Sequence, residues 1–214
     1  MSKVVVFNQI GGAEVLKIQE MQVPAPDANE VQIRVRAIGI NRAEVMYRTG
    51  QYIYQPNFPA RLGYEAAGVI ESVGDNVREF APGDYVSVIP AFSFHQYGMY
   101  GEVVNAPAHA VVKHPQNLSF IEAAASWMMY VTAFGALVEY ADIKPGDNVL
   151  INAASSSVGL AAIQIANMRG AKPIAMTRTS EKRDQLLQLG AAEVIASQEQ
   201  DLVAEINRIT DGKG

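Results

Sequence analysis

The chain has 214 residues, which at roughly 150 residues per domain amounts to about one and a half domains. Its 17 Lys plus Arg stand against 22 Asp plus Glu, a formal net charge of -5, so there is no electrostatic footprint for a nucleic-acid backbone or an anionic lipid surface. A hydrophobic share of 49% excludes global disorder, and the absence of cysteine excludes disulfides, thiolate zinc sites, iron-sulfur clusters and cysteine nucleophiles. No apolar run approaches the roughly 18 residues of a membrane-spanning helix, and Met1 to Ile10 reads as a short strand, not as a signal segment. The expectation is a soluble cytoplasmic protein with neither a nucleic-acid nor a membrane partner.

From Val4 to about Val112 the pattern is one of short strands punctuated by turns. Val31 to Val35 alternates apolar and polar residues, the period of a half-buried strand, after a loop marked by Pro24, Pro26, Asp27 and Asn29. Asn41 stands where its side chain can cap a short helix through Ala43, Glu44, Val45 and Met46. Ala66 to Val73 is small and β-branched, and it is followed by turns at Gly74-Asp75-Asn76 and Pro82-Gly83-Asp84 leading into Tyr85 to Ile89. This half predicts a compact antiparallel β domain.

After about Pro115 the period changes. Ser119 with Glu122 is a capping-box pattern opening a helix through Ala123, Ala124 and Ala125, and Thr132 to Tyr140 predicts a second helical stretch. Then strands and helices alternate: strand Asn148 to Asn152, helix Val158 to Met168, strand Pro173 to Thr177, helix Glu181 to Leu189, strand Ala192 to Ala196, helix Asp201 to Thr210. That alternation predicts a parallel sheet with right-handed crossovers, the first half of a doubly wound nucleotide-binding domain.

Between the first of these strands and its helix stands Ala153-Ala154-Ser155-Ser156-Ser157-Val158-Gly159. A pyrophosphate needs a tight turn, small side chains that let backbone N–H groups approach, and a helix N-terminus. The small residues meet that need, although Ala153 and Ser156 occupy the first two positions usually held by glycine. Ser155, Ser156, Ser157 and Val158 are therefore candidate cofactor contacts, against the plainer alternative of a serine-rich helix cap. After the second strand comes Thr177-Arg178-Thr179-Ser180-Glu181-Lys182. An NAD site places a carboxylate at the end of that strand, whereas an NADP site supplies cations for the 2'-phosphate. Thr177, Arg178, Thr179 and Lys182 suit the phosphate, with Arg178 as a bidentate donor and Lys182 as a point charge. The alternative is that both cations are merely solvated.

Several motifs in one order carry a family resemblance: a β-rich first half, Leu62-Gly63-Tyr64-Glu65-Ala66-Ala67-Gly68-Val69-Ile70, the run from Ala153, and Leu189-Gly190-Ala191-Ala192. From Lys3 to its last residue the chain resembles the medium-chain dehydrogenase/reductase superfamily, and within it the zinc-independent, zeta-crystallin-like quinone oxidoreductase branch. The resemblance implies an α/β protein in which residues 1–115 form a GroES-like catalytic domain. Residues 116–214 would form the first half of an NADP-binding Rossmann domain, its second half absent, with the active site in the cleft between the domains. It also implies NADPH as cofactor, a quinone or other α,β-unsaturated carbonyl as acceptor, and a homodimer for the full-length protein.

The family's first metal-ligand position resembles Asn41 here, and the usual ligand histidine is Tyr64, so no catalytic zinc of that type is expected. By resemblance, Asn41 lies beside nicotinamide and substrate, Tyr52 faces the cleft, and Thr132 lies near the nicotinamide. Tyr64 either narrows the pocket or supplies a hydroxyl. Asn41, Tyr52 and Tyr64 are the candidate oxyanion donors; the plain structural alternatives are a helix cap for Asn41, a loop aromatic for Tyr52 and a helix residue for Thr132. Of the histidines, His109 and His114 are expected in loops or on the surface, and His95 is kept as a possible cleft residue. An enoyl-thioester reductase and a non-catalytic nucleotide-binding protein are the competing functions. The missing half-domain also implies a marginally stable and weakly active chain.

Overall fold

The computed structural model describes residues 1–213. Contacts divide the chain into two compact units, Met1–Met128 and the residues from Met129 onward.

The first unit is built on antiparallel sheet. Strands β1 (Ser2–Phe7), β2 (Lys17–Met21) and β4 (Ala60–Arg61) form a three-stranded sheet in the order β2-β1-β4. A five-stranded sheet runs β7-β3-β5-β6-β8, from β3 (Glu30–Ile38), β5 (Ala66–Val73), β6 (Tyr85–Val88), β7 (Val103–Pro107) and β8 (Val111–Lys113). The alternation expected at Val31 to Val35 buries Val31 and Ile33 completely, against Ile70, Val86, Val88 and Val104. Gly68 on β5 lies so close to β3 that an added Cβ would stand 2.2 Å from the Arg34 carbonyl oxygen, which accounts for a glycine inside a strand. Helix α1 (Arg42–Arg48) starts at Asn41, whose backbone N–H donates to the Glu44 carboxylate at 2.8 Å. That places Asn41 at the helix start, as the sequence pattern predicts.

Helix α2 (Phe120–Phe134) opens on the expected box, with Ser119 and Glu122 bonded reciprocally. It does not break before Thr132. No glycine or proline falls between Ala125 and Thr132, so the two expected helices are one, continuing with wider π-type turns over Gly135–Tyr140. The resulting helix of 21 residues, with a mean hydropathy of 1.4, is long and apolar enough to cross a membrane by length and composition. This corrects the expectation that no apolar stretch approaches that length: Glu122, Ser126 and Glu139 interrupt the run of apolar letters without interrupting the helix.

The second unit holds the parallel sheet β11-β10-β9, from β9 (Asn148–Ile151), β10 (Lys172–Thr177) and β11 (Glu193–Ala196). Helices α3 (Ser157–Met168), α4 (Arg183–Gln188) and α5 (Leu202–Ile209) follow the successive strands. This is the strand order of the first half of a doubly wound sheet. Ile151, Ala161, Ile163, Ala175, Leu186 and Val194 fill its core.

Candidate functional site

In the second unit, the residues that follow the three strands converge at the carboxyl ends of the sheet. After β9 the chain doubles back through Ala153, which adopts a left-handed φ of 48°, and the Ser156 N–H donates to the Ala153 carbonyl at 2.8 Å. The Ala154 N–H donates to Met176 at 3.1 Å, which ties the loop to β10. Ser156 then caps α3, its hydroxyl accepting from the Gly159 N–H at 3.1 Å. Gly159 is buried hard against the loop: an added Cβ would lie 2.6 Å from both the Ala154 Cα and its carbonyl oxygen. Glycine is therefore required where helix and loop meet, the role of the last glycine in a dinucleotide fingerprint. The N–H groups of Ser157 and Val158, in the first helical turn, have no protein acceptor among the described residues.

The loop after β10 is fixed by its own bonds. Thr177 Oγ1 donates to the Thr179 carbonyl at 2.8 Å, Ser197 Oγ to the Thr177 carbonyl at 3.1 Å, and the Ser180 N–H to Glu199 at 3.1 Å. Between the two loops lies a cavity of about 580 Å³, of the size that holds small-molecule ligands. Ser155, Ser156, Thr177, Arg178, Thr179 and Lys182 line it together, so six of the cofactor candidates share one site. Asn152, Ala153, Met176, Glu181 and Ser197 line it as well. Lys182 Nζ lies 3.4 Å from Ser155 Oγ, bridging the two loops, while Arg178 is exposed at the rim. Glu181 belongs to the short 3-10 turn Ser180–Lys182, beyond the end of β10, where a ribose-binding carboxylate would not sit. Ser157 and Val158 do not line the cavity with their side chains, and what they offer is backbone. Thr132 lies on α2, exposed, and is not part of the lining.

The first unit gathers a different set of groups. Tyr64 is 5% exposed, its ring tilted by 31° against that of Phe94 at a centroid separation of 3.8 Å. Its hydroxyl lies 3.1 Å from that of Tyr52 and 2.9 Å from that of Tyr54. The Tyr54 hydroxyl in turn accepts the Phe94 N–H at 3.1 Å. Burial, and then the two neighbouring hydroxyls, push the Tyr64 phenol far above its ordinary value, so it stays neutral. Tyr52 and Tyr54 are half-buried.

Beside this cluster two carboxylates are buried. Glu65 accepts from the Asn41 side-chain amide at 2.9 Å and from the Met128 N–H at 2.8 Å. Glu44 accepts from the Tyr64 N–H at 3.2 Å in addition to its bond with Asn41. Burial raises the pKa of both, and their hydrogen bonds offset part of that rise. Tyr54, Glu44, Glu65 and Phe94 were not singled out as functional from the sequence. Only Glu65, two residues past Gly63 in the quoted motif, carried a signal.

Of the histidines, His95 is exposed with Nε2 2.7 Å from the Gln55 carbonyl, and His109 is exposed. His114 lies in a loop, as expected, but away from the surface. It is buried where β8 ends, its Nδ1 3.0 Å from Ser87 Oγ and its ring against Phe120, and burial lowers its pKa. The reason is the pairing of β6 with β8, which brings the residue after Lys113 onto the fully buried Ser87 of β6. Among the described residues, no group of three or more His, Asp or Glu is arranged to hold a metal ion.

Comparison with known proteins brings in the same architecture. Residues 27–116 match the family model for the alcohol dehydrogenase GroES-like domain, and residues 157–214 match that for zinc-binding dehydrogenases. Human quinone oxidoreductase is 40% identical over 207 residues, which cover 96% of this chain. The chain spans 62% of that relative's length. The crystal structure of Escherichia coli quinone oxidoreductase complexed with NADPH superposes with a TM-score of 0.88 at 37% identity, covering 99% of this chain and 63% of that one. A crystal structure of an NAD-dependent alcohol dehydrogenase gives a TM-score of 0.93 at 35% identity, covering 99% of this chain and 68% of that one.

Proposed function

The chain belongs to the medium-chain dehydrogenase/reductase superfamily, and from that membership we propose that the whole protein is an NADPH-dependent reductase of quinones or other α,β-unsaturated carbonyls. The observation that carries the reading is the cavity at the carboxyl ends of β9 and β10, whose rim offers Arg178, Thr179 and Lys182 where an NAD site would need a carboxylate.

The residues fit the cofactor part by part. The free N–H groups of Ser157 and Val158, with the hydroxyls of Ser155 and Ser156, would take the pyrophosphate at the start of α3. Arg178, Thr179 and Lys182 would take the 2'-phosphate, and Thr177 the adjoining ribose. Asn41 and Thr132 are proposed at the nicotinamide. NADPH, when bound, supplies the hydride. The chain's own contribution is to orient the acceptor and to hold hydrogen-bond donors, drawn from Asn41, Tyr52 and Tyr64, where its oxygen gains negative charge. Water then provides the proton that completes the two-electron reduction.

The acidic balance of the chain supports a small-molecule acceptor over a nucleic acid. Homodimerisation and a cytoplasmic location belong to the same proposal and rest on the family resemblance. The test is NADPH oxidation by the full-length protein, followed by absorbance, against a panel of quinones and enones. Turnover with at least one class is expected. A protein that binds NADPH but turns over neither class would sink the reductase reading and leave a nucleotide-binding protein without catalysis.

A further inference from the structure

Three phenols and one backbone N–H in the first unit form a connected row: Phe94 N–H to Tyr54 at 3.1 Å, Tyr54 to Tyr64 at 2.9 Å, Tyr64 to Tyr52 at 3.1 Å. The direction of each hydroxyl follows from counting protons, because a phenol has one to give and a backbone N–H can only donate. If Tyr52 and Tyr54 both donated to Tyr64, the Tyr64 proton would have no acceptor inside a 5% exposed site, which costs a full desolvation penalty. If the row ran from Tyr52 through Tyr64 to Tyr54, two donors, the Tyr64 hydroxyl and the Phe94 N–H, would converge on the Tyr54 oxygen. Only one arrangement runs head to tail from the fixed donor: Phe94 N–H to Tyr54, Tyr54 to Tyr64, Tyr64 to Tyr52. Aligned bonds of this kind polarise one another, whereas converging ones do not. The surplus proton then sits on Tyr52, which is half-buried and whose hydroxyl has Tyr64 as its one partner among the described residues.

We propose that Tyr52 is the hydroxyl that donates to the acceptor's oxygen, and that Tyr64 and Tyr54 are positioning residues that act only through it. This rests on the reductase reading for the identity of the acceptor, but not for the row itself. Tyr64 never meets the acceptor: its buried oxygen accepts from Tyr54 and its proton is committed to Tyr52. No proton leaves the protein in this scheme. The row supplies a hydrogen bond strengthened by the two behind it, and water protonates the product.

The test uses 4-nitrophenolate, an oxyanion whose absorbance reports hydrogen bonding, titrated into the full chain without cofactor. Wild type is expected to bind it. Tyr52→Phe should weaken binding about tenfold, the effect of one bond to a charged oxygen. Tyr64→Phe, which keeps the ring on Phe94, should weaken it about threefold in wild type, the share of a cooperative bond, and not at all in a Tyr52→Phe background. A purely structural role for Tyr64 would give the same loss in both backgrounds and would overturn the proposal, as would a wild-type chain that does not bind the probe. Should Tyr64→Phe fail to fold, Tyr54→Phe removes the first hydroxyl of the row, and the same comparison applies. NADPH oxidation with quinones separates the two readings. The expected probe pattern without turnover removes the reductase and keeps the row, whereas turnover with equal Tyr64→Phe losses removes the row and keeps the reductase.

Discussion

The two units place their charged groups in opposite ways. In the second, charge is kept at the surface: Arg178 and Lys182 stand exposed around a cavity whose other polar side chains include serine and threonine hydroxyls and the Asn152 amide. In the first, charge is taken inside. Glu44 and Glu65 are buried against Asn41 and the Tyr64 backbone, and the hydroxyls nearby are committed to one another. A rim of exposed cations is open to counter-ions and to salt, while buried carboxylates are shielded from salt but must settle their protonation with the fold. The first arrangement suits recognition of a phosphate, the second a pre-organised neutral surface for a carbonyl.

The largest effect that would sharpen this contrast is at Arg178. Arg178→Ala should lower NADPH affinity about tenfold, at the weak end for a charged hydrogen bond because the side chain is exposed, and leave NADH affinity within about twofold. Titration by nucleotide fluorescence at low and moderate salt reads both numbers. Wild-type NADPH affinity should fall as salt rises, and the variant's should fall less. Equal losses for both nucleotides would mean that Arg178 does not meet the 2'-phosphate.

The contrast also explains what was legible in the sequence. The cavity of the second unit is lined mainly by two short segments, Asn152 to Ser156 and Met176 to Lys182, each read from its place after a strand, so local pattern and final position coincide. The tyrosine row could not be read that way. Tyr52, Tyr54, Tyr64 and Phe94 lie on loops and at strand margins, and what joins them is packing around Tyr47, whose ring stacks 4.7 Å from that of Phe94. Nothing in the spacing of tyrosines announces that three hydroxyls will meet. The same holds for His114, which local pattern leaves outside and long-range pairing of β6 with β8 carries inside.

A second, smaller effect concerns the buried acids. Because burial raises the folded pKa of Glu44 and Glu65 above the ordinary carboxylate value, the folded state holds protons that the unfolded state has lost. Their contribution to stability is therefore complete below the unfolded pKa and is lost as pH rises through the folded one. His114 acts in the other direction, since its lowered pKa makes the fold gain as pH rises past the unfolded histidine value. Comparing variants cancels that common term. Melting curves at pH 5 and pH 8 should show a smaller fall in stability for Glu65→Gln than for wild type, and the difference should persist at high salt. An identical fall in both proteins would mean that Glu65 is charged in the fold across the whole range.

The smallest effect tests whether the turn at the edge of the second unit's cavity is under strain. Ala153 holds a φ of 48°, in the left-handed region where its Cβ crowds the carbonyl that follows. That conformation costs an alanine about 1–2 kcal/mol, and glycine avoids it. Glycine in turn loses more chain entropy on folding, about 0.5–1 kcal/mol relative to alanine. The difference favours Ala153→Gly by about 0.5 kcal/mol, a shift readable in the urea midpoint of unfolding. The turn is held on both sides, by the Ser156 N–H on the Ala153 carbonyl and by the Ala154 N–H on β10, so glycine should relax the strain without freeing the loop. NADPH affinity should then stay the same or rise slightly, because the exposed methyl that lines the cavity is gone and the backbone is left in place. A loss of stability would show that the methyl group packs more than it strains, and that the loop tolerates alanine for a reason other than the geometry of its turn.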